Sequence, residues 1–336
     1  MARRQRVAVT LGLAAVAALA GVTAAPASAA VKPPAEQRLG VPLARLQAAL
    51  HCQPEVRRST ARTVMLVTGT GFTGGEAWSG AGGFQEALLK AGHPSCYVDF
   101  PDFTTGDMQV AVQYLVYGIR RQARLARSRI AVYGISQGAV LPRMALMFWP
   151  SLRRQVSDVV AVSGTQHGTT ADLLVGSCQT SAGCPPAVWQ QAFNSNLLKW
   201  VNRRADETPG PTAWTTVRSE EDEVVTPQVA LYPTSALRGA TNILIQQVCP
   251  GRRTSHIGST YDSVSFAALL DAVARGGPAD PSRLPADVCA QAFAPGLDVA
   301  RTQGQLDASL GIAAQRLLGQ TPRVTAEPPV KRYITR

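Results

Sequence analysis

The chain has 336 residues, of which 46% are hydrophobic and 16% are charged, and its formal net charge at pH 7 is +11. The basic residues occur as scattered pairs such as Arg57-Arg58 and Arg153-Arg154, without the interleaved aromatic side chains of a nucleic-acid footprint. This pattern disfavours a nucleic-acid partner and predicts a solvated basic surface with an affinity for anionic cell walls or lipid.

Residues 1–29 have the pattern of an export signal. Three arginines within the first six residues precede an uncharged run, rich in Ala, Val and Leu, over residues 7–25, and Ala27-Ser28-Ala29 supplies a small-residue cleavage site. The uncharged run is also long enough to be a retained membrane anchor. Pro26 and the Ala-Ser-Ala ending favour cleavage, which predicts a secreted chain that begins at Ala30 with a net charge of +8 once three arginines are removed.

The first clear strand signal is the apolar run at residues 63–68, which is typical of a strand buried on both faces. It leads directly into a glycine-rich loop at residues 69–75. Such a loop can cradle a phosphate, but this one lacks the Gly-Lys-Ser/Thr of a P-loop, and no acidic residue follows at the ribose-binding distance. The same position supplies oxyanion-hole donors in hydrolases, and we favour that role over a nucleotide site.

Residues 129–138 have the pattern of a short apolar strand, a glycine-flanked turn and the start of a helix. Gly134-Ile135-Ser136-Gln137-Gly138 fits G-x-S-x-G, the nucleophile elbow of α/β-hydrolases. Side chains in place of the two glycines would collide with the neighbouring strand and helix, and the strained turn pushes the Ser136 hydroxyl out above the sheet. The alternative is an ordinary strand-to-helix turn with an idle serine.

Further strands and helices alternate along the chain. Strands are predicted at residues 95–99, 158–163, 213–218 and 242–248, and helices at residues 43–50, 83–90, 107–125, 264–274 and 302–318. This alternation predicts an α/β-hydrolase fold with a mostly parallel central sheet and helices on both faces, in a single domain of residues 30–336. The proline-rich, basic tail from about Thr321 is predicted to be flexible.

Six cysteines follow the signal, and an even count in an exported chain implies disulfides. Six cysteines allow fifteen connectivities. We predict sequential pairing, which joins Cys52 to Cys96, Cys178 to Cys184 and Cys249 to Cys289. The absence of any C-x-x-C spacing in the sequence disfavours a zinc site or a redox motif.

A serine hydroxyl becomes a nucleophile when a base removes its proton and a carboxylate orients that base. Two histidines follow Ser136: His167 precedes any plausible acid, whereas His256 follows the last strand, as the base of an α/β-hydrolase does. We therefore assign His256 as the base and His167 as a loop residue near the mouth of the site. The acid should follow the strand at residues 213–218, but four carboxylates occupy residues 220–223, so spacing alone leaves the choice open, as well as the possibility of a solvated acidic turn.

Six motifs spread along the chain form a set. They are Gly69-Thr70-Gly71-Phe72-Thr73-Gly74, Ser136-Gln137-Gly138, Phe148-Trp149-Pro150-Ser151, Val188-Trp189-Gln190-Gln191, Asp222-Glu223-Val224-Val225-Thr226-Pro227-Gln228-Val229 and Gln247-Val248-Cys249. Together they resemble the α/β-hydrolases of the Candida antarctica lipase B type, over residues 50–295. The resemblance implies that Ser136 is the nucleophile, Asp222 the acid and His256 the base.

The same resemblance implies an oxyanion hole made of the backbone N–H groups of Thr70 and Gln137 and the Thr70 hydroxyl. It also supports the pairings of Cys52 with Cys96 and of Cys249 with Cys289. The departures from the family concern the substrate pocket.

Ile135 stands where the best-known member has a tryptophan, which predicts a roomier alcohol side. Thr165 aligns with an aspartate that lies near the active site of the same member, which predicts that a negative charge is missing from the mouth of the pocket. Cys178 and Cys184 would add a short bridge where the family has a small mobile lid, and the family's last disulfide is absent.

The sequence therefore predicts a secreted serine ester hydrolase, a lipase or carboxylesterase, that works through an acyl-enzyme and needs no metal or organic cofactor. We expect a monomer that binds an ester or lipid substrate at a lipid interface and has no nucleic-acid partner. Two alternatives stay open: an acyltransferase that uses the same triad with an alcohol acceptor, and a non-catalytic wall-binding protein that keeps the fold.

Overall fold

A computed structural model describes residues 36–229 and 231–335 of the chain. Within these residues, seven strands form one sheet in the order β1-β3-β2-β4-β5-β6-β7. β1 runs antiparallel to β3 and every other neighbouring pair is parallel. The strands are β1 Leu50–Cys52, β2 Val64–Val67, β3 Ser95–Val98, β4 Ile130–Ile135, β5 Val156–Val162, β6 Ala213–Arg218 and β7 Thr241–Leu244.

Helices cover both faces of this sheet, which confirms the predicted α/β-hydrolase fold class. The α-helices are α1 Leu43–Ala48, α2 Gly74–Trp78, α3 Phe84–Lys90, α4 Met108–Ala126, α5 Gln137–Phe148, α6 Asp172–Val175, α7 Pro186–Gln191, α8 Asn196–Asn202, α9 Ile245–Val248, α10 Gly258–Tyr261, α11 Ser263–Arg275 and α12 Val299–Gln315. A π-helical turn, Arg316–Gln320, follows α12. Short 3-10 helices occur at Pro54–Arg57, Pro101–Thr104, Pro150–Arg154, Gly176–Gln179 and Pro281–Arg283.

The two faces of the sheet have separate apolar cores, because successive side chains of a strand point to opposite faces. In β2, Met65 and Val67 pack with α4 and α5, whereas Val64 and Leu66 pack with α3 and α11. All four side chains are completely buried. The near-continuous apolar run at residues 63–68 is thus explained by a strand covered on both sides.

Two strand predictions differ from the structure. β1 was not predicted, because Leu50-His51-Cys52 is short and partly polar; it forms the edge of the sheet beside β3. The strand predicted at residues 242–248 ends at Leu244, and the chain continues as α9. A short apolar run cannot distinguish strand from helix, and here the helical turn allows the Gln246 side chain to bond Ser219, Glu220 and Arg252.

Three disulfides join the predicted partners and confirm the sequential pairing. Cys52 and Cys96 are opposite each other in β1 and β3, and their sulfurs are bonded. The other bridges connect Cys178 to Cys184, which closes a loop with a sequence separation of 6, and Cys249 to Cys289.

The segment beyond Thr321, which is predicted to be flexible, contacts the rest of the domain. Gln109, a buried residue of α4, donates to the carbonyl of Pro329 and accepts the Lys331 N–H, and the Tyr333 hydroxyl donates to the carbonyl of Gln109. Ile334 is buried among α4 and α5 side chains. These contacts join the segment to α4, although proline and basic residues are frequent in its sequence.

The predicted export signal, residues 1–29, lies outside the described residues. Among the helices that the structure describes, none is both long enough and apolar enough to cross a membrane.

Two glycines allow β4 to continue directly into α5. A Cβ atom on Gly134 would collide with the carbonyl oxygen of Gly138, and one on Gly138 would collide with the carbonyl oxygens of Val67 and Thr68 in and after β2. The backbones of β2, β4 and α5 are therefore closer than side chains at these positions would permit. This confirms the steric role predicted for both glycines.

We expect Gly134→Ala to lower the free energy of unfolding by about 3 kcal/mol or more, because backbone atoms already fill the space that the added methyl group would need. Gly311→Ala is the matched control, because it lies in the interior of α12 with nothing within 4 Å of the added Cβ. It should raise the free energy of unfolding by about 0.5–1 kcal/mol through helix propensity. Urea unfolding measures both, and equal effects of the two substitutions would contradict the packing described for the turn.

Candidate active site

Ser136 occupies the sharp turn between β4 and α5. Its backbone lies at φ 58° and ψ −125°, a positive φ that is uncommon for a residue other than glycine. The Ser136 N–H donates to the carbonyl of Val162 at the end of β5, at 2.9 Å, which fixes the turn against the sheet. The hydroxyl therefore lies at the N-terminus of α5, where the helix dipole favours negative charge.

Asp222 and His256 form a hydrogen-bonded pair at the same edge of the sheet. His256 Nδ1 lies 2.9 Å from Asp222 Oδ2. Asp222 follows β6 and its Oδ1 accepts the N–H groups of Val224 and Val225 at 3.0 and 2.8 Å. Gln228 Nε2 donates to the Oδ2 atom at 3.2 Å. The carboxylate is thus fixed by neutral donors, and it can hold the imidazole in one orientation and one tautomer.

The electrostatic surroundings favour proton binding by the imidazole. Burial pushes the pKa of His256 down, but the charge of Asp222, the hydrogen bond to Asp222 and the charge of Glu223 push it up, and the net effect raises the pKa above its ordinary value. Glu223 also accepts the backbone N–H of His256 at 3.0 Å. A base whose charged form is stabilised in this way is suited to take a proton from a neighbouring hydroxyl.

Ser136 and His256 both line one cavity of about 780 Å³. Among the described residues, Nδ1 of the imidazole is bonded to Asp222, and neither Nε2 nor the Ser136 hydroxyl has a hydrogen-bond partner. Three side chains that are distant in the sequence are thus brought to the carboxyl ends of β4, β6 and β7. His167 is not part of this group: its ring contacts the carbonyl of Thr234 and the carboxylate of Glu207.

Thr70 and Gln137, the predicted oxyanion-hole residues, are in direct contact. The Thr70 hydroxyl donates to Gln137 Oε1 at 2.7 Å and accepts from Gln191 Nε2 at 2.7 Å. The backbone N–H groups of Thr70 and Gln137 have no hydrogen-bond partner within the described part of the chain. Sequence reasoning did not assign a role to Gln191, although it belongs to the Val188–Gln191 motif that carried the resemblance.

The cavity is mainly apolar, and much of its outer wall was not expected from the sequence. Its inner wall comes from the loop after β2, from α2 and from Ile135. Leu173 and Leu174 of α6 form one side. The outer wall is α12, which contributes Arg301, Gly304, Gln305, Ala308, Ser309, Leu310, Ile312, Ala313 and Ala314.

Comparison of the sequence and the structure with known proteins finds similar chains. No family model matches the chain. Lipase B of Pseudozyma antarctica is 31% identical over 229 residues, which are 67% of this chain and 65% of that protein, so the chain spans just under two thirds of this relative's length. The crystal structure of Aspergillus fumigatus lipase B superposes with a TM-score of 0.81 at 28% identity, covering 90% of this chain and 74% of that one. The chain belongs to the lipase B-like family of α/β-hydrolases.

A more distant structure has only the fold in common with this lipase B-like chain. Bacillus licheniformis lipase BlEst2, in its propeptide form, gives a TM-score of 0.52 at 14% identity and covers 68% of this chain and 53% of that one. At such low identity the likeness concerns the arrangement of strands and helices alone.

One departure from the lipase B-like family needs correction. Thr165 was expected at the mouth of the pocket, but it is completely buried and does not line the cavity. Its hydroxyl donates to Gln191 Oε1 at 3.1 Å, and Gln191 in turn donates to Thr70. Thr165 is therefore connected to Thr70 through the side chain of Gln191, the last residue of α7.

We expect Glu223→Gln to lower the pKa of His256, because it removes one of the negative charges that stabilise the imidazolium. In the unsubstituted protein, NMR titration of the ring should give a midpoint above about 6.5, the ordinary value for histidine. The matched control is Glu220→Gln, an exposed carboxylate in the same loop. A midpoint for Glu223→Gln that equals or exceeds the original one would contradict the described electrostatics.

Proposed function

We propose that the protein is a secreted serine ester hydrolase in which Ser136, His256 and Asp222 are the nucleophile, the base and the acid. The observation that carries the proposal is the meeting of three features at one cavity wall. These are a strained serine at a helix N-terminus, an imidazole bonded at 2.9 Å to a buried carboxylate, and two backbone N–H groups beside them. Membership of the lipase B-like family supports the same assignment.

Acylation begins when the Ser136 oxygen attacks the ester carbonyl carbon and His256 Nε2 takes the hydroxyl proton. Asp222 stabilises the imidazolium that results and does not itself take up the proton. The carbonyl oxygen becomes an oxyanion, and in this proposal the N–H groups of Thr70 and Gln137 bind it. One such donor typically contributes about 3–4 kcal/mol to the transition state.

Acylation ends when the tetrahedral intermediate collapses and His256 gives its proton to the departing alcohol oxygen. Deacylation repeats these steps with water, which loses a proton to His256 as its oxygen attacks the acyl carbon. The second tetrahedral intermediate collapses when the bond from the acyl carbon to Ser136 Oγ breaks, and His256 returns the proton to Ser136 Oγ as the carboxylic acid leaves.

The mainly apolar cavity supports an ester of a fatty acid as substrate. A pocket with apolar walls and a few polar groups at one end binds a chain through burial of its methylenes, at about 0.8 kcal/mol each. Thr68, Thr70, Ser136 and His256 lie at the polar end, and Leu173, Leu310 and Ile312 are apolar, partly exposed wall residues. Together these features support a lipid substrate presented at an interface, and in this proposal the enzyme acts as a monomer.

Export is supported by the three disulfides, which form and persist in oxidising compartments. In this proposal residues 1–29 are removed and residues 30–336 act as one domain.

We expect Ser136→Ala to reduce kcat/KM on p-nitrophenyl butanoate by at least about 10⁴-fold, as removal of a nucleophile does in related chemistry. His256→Ala should have a comparable effect, because the hydroxyl loses its base. His167→Ala is the matched control and should keep near-original activity, because its ring contacts the carbonyl of Thr234 and not the cavity. Full activity of a folded Ser136→Ala variant would refute the assignment.

Mass spectrometry of the protein secreted by an export-competent bacterial host tests the processing step. We expect a mature N-terminus at Ala30, because Ala27-Ser28-Ala29 has the small residues that a signal peptidase requires. A mature protein that retains residues 1–29 and stays with the membrane would show that the segment is an anchor.

A further inference from the structure

α12 forms the outer wall of the cavity although its own packing is weak. Of its residues, all of which are described, Thr302 and Ser309 alone are buried. Gly304 and Gly311 lie in its interior, and each lowers helix stability by about 1 kcal/mol relative to alanine. In the middle of the helix, Gln305 donates to the carbonyl of Glu76 at 3.1 Å, and the arginine contacts that hold the wall lie at its two ends.

At the N-terminal end, Arg301 fastens α12 to the loop after α2. Its guanidinium donates to the carbonyls of Ser79 and Ala81 at 2.6 and 2.8 Å. At the C-terminal end, Arg316 donates to the carbonyl of Gly71 at 2.7 Å and pairs with Glu76 at 2.7 Å. These contacts connect α12 to the glycine-rich loop that carries Thr70.

Arg323 provides a second attachment beyond the π-helical turn. Its guanidinium donates to the carbonyl of Leu317 at 2.8 Å and of Leu318 at 3.4 Å. The same group donates to the carbonyls of Ala182, at 3.4 Å, and Gly183. One arginine thus bridges the end of the α12 wall and the loop that the Cys178–Cys184 disulfide closes.

The disulfide loop also pairs with the chain next to Arg323. Cys184 and Val324 exchange backbone hydrogen bonds of 3.1 and 2.9 Å, and Trp189 Nε1 donates to the carbonyl of Val324 at 3.0 Å. Cys178 and Cys184 pack in one apolar cluster with Leu174 and Leu317, both of which line the cavity. We define the clasp as Arg323, Val324 and the disulfide loop of residues 178–184.

We propose that the clasp positions the Leu317 end of the cavity wall and thereby sets the preference for long acyl chains. The inference rests on the proposed esterase function. Arg323 and the two cysteines do not line the cavity, so they are positioning residues that act through Leu317 and Leu174. A short acyl group remains close to Ser136, whereas a long one needs the wall to bury its distal methylenes.

The test compares Cys178→Ser/Cys184→Ser and Arg323→Gln with the unsubstituted full-length protein. Arg332→Gln is the matched control, an exposed arginine of the same C-terminal segment outside the cavity wall. Each protein is assayed with p-nitrophenyl dodecanoate and butanoate below their solubility limits. Hydrogen exchange of peptides within residues 310–324 reports separately on whether the clasp stabilises this part of the chain.

We expect kcat/KM for the dodecanoate to fall by about tenfold in both clasp variants, mainly through KM, which corresponds to lost contact with nearly two methylenes. Activity on the butanoate should be unchanged, and exchange in residues 310–324 should rise. The Arg332→Gln control should match the unsubstituted protein in all three measurements.

Unchanged hydrogen exchange in both variants would show that the clasp does not position the cavity wall. Faster exchange with an unchanged ratio of kcat/KM for the dodecanoate to that for the butanoate would show that the clasp does not set the chain-length preference. If the serine variant fails to fold, Arg323→Gln decides by the same criteria. If the unsubstituted protein hydrolyses neither ester, the proposed function fails, whereas the exchange measurement still decides whether the clasp holds the wall.

Discussion

The backbone of Ser136 is held at a positive φ of 58°, a conformation that typically costs about 1–3 kcal/mol for a residue with a side chain. The fold maintains it because β4 and α5 are in backbone contact through Gly134 and Gly138, and because the Ser136 N–H is bonded to β5. This constraint determines the direction of the hydroxyl. The cavity, the imidazole and the backbone donors are all arranged around the place where that oxygen lies.

The remaining groups of the site are restrained before any substrate arrives. Asp222 is held by two backbone N–H groups and one amide, and it orients His256. Thr70, Gln137 and Gln191 form one hydrogen-bonded set, which links the loop after β2, the start of α5 and α7. Donors fixed in this way need little reorganisation when charge develops, and this is the usual basis of oxyanion stabilisation.

The hydrogen-bonded groups around Asp222 and Thr70 and the wall of the cavity are held in place by different kinds of contact. The wall at α12 is attached by arginines that bond to carbonyl groups at its ends, and it adds few side chains to the core. Regions held by few buried apolar contacts generally open more readily than the core. The lipase B-like scaffold therefore combines a proposed reacting centre that is held by hydrogen bonds with a cavity wall that has few buried side chains.

The parts of the site that depend on local sequence could be predicted, and those that depend on long-range packing could not. The elbow at Ser136 is a local motif, since its two glycines are needed within five residues. Asp222 could not be chosen by spacing from four adjacent carboxylates; the resemblance chose it, and the structure shows that it alone bonds the imidazole among the described residues. The contacts of α12 and of the C-terminal segment join residues more than two hundred positions apart, and the buried Thr165 bonds Gln191, 26 residues away. No local pattern encodes these contacts.

The central claim is that Ser136, His256 and the N–H groups of Thr70 and Gln137 act on one reacting carbonyl. A crystal structure of the protein after reaction with an alkyl fluorophosphonate tests it most directly. We expect phosphorus bonded to Ser136 Oγ, its phosphoryl oxygen at about 2.7–3.1 Å from both N–H groups, and the imidazole of His256 within hydrogen-bond reach of Oγ. Phosphorus on another residue, or an imidazole turned away from the adduct, would contradict the account.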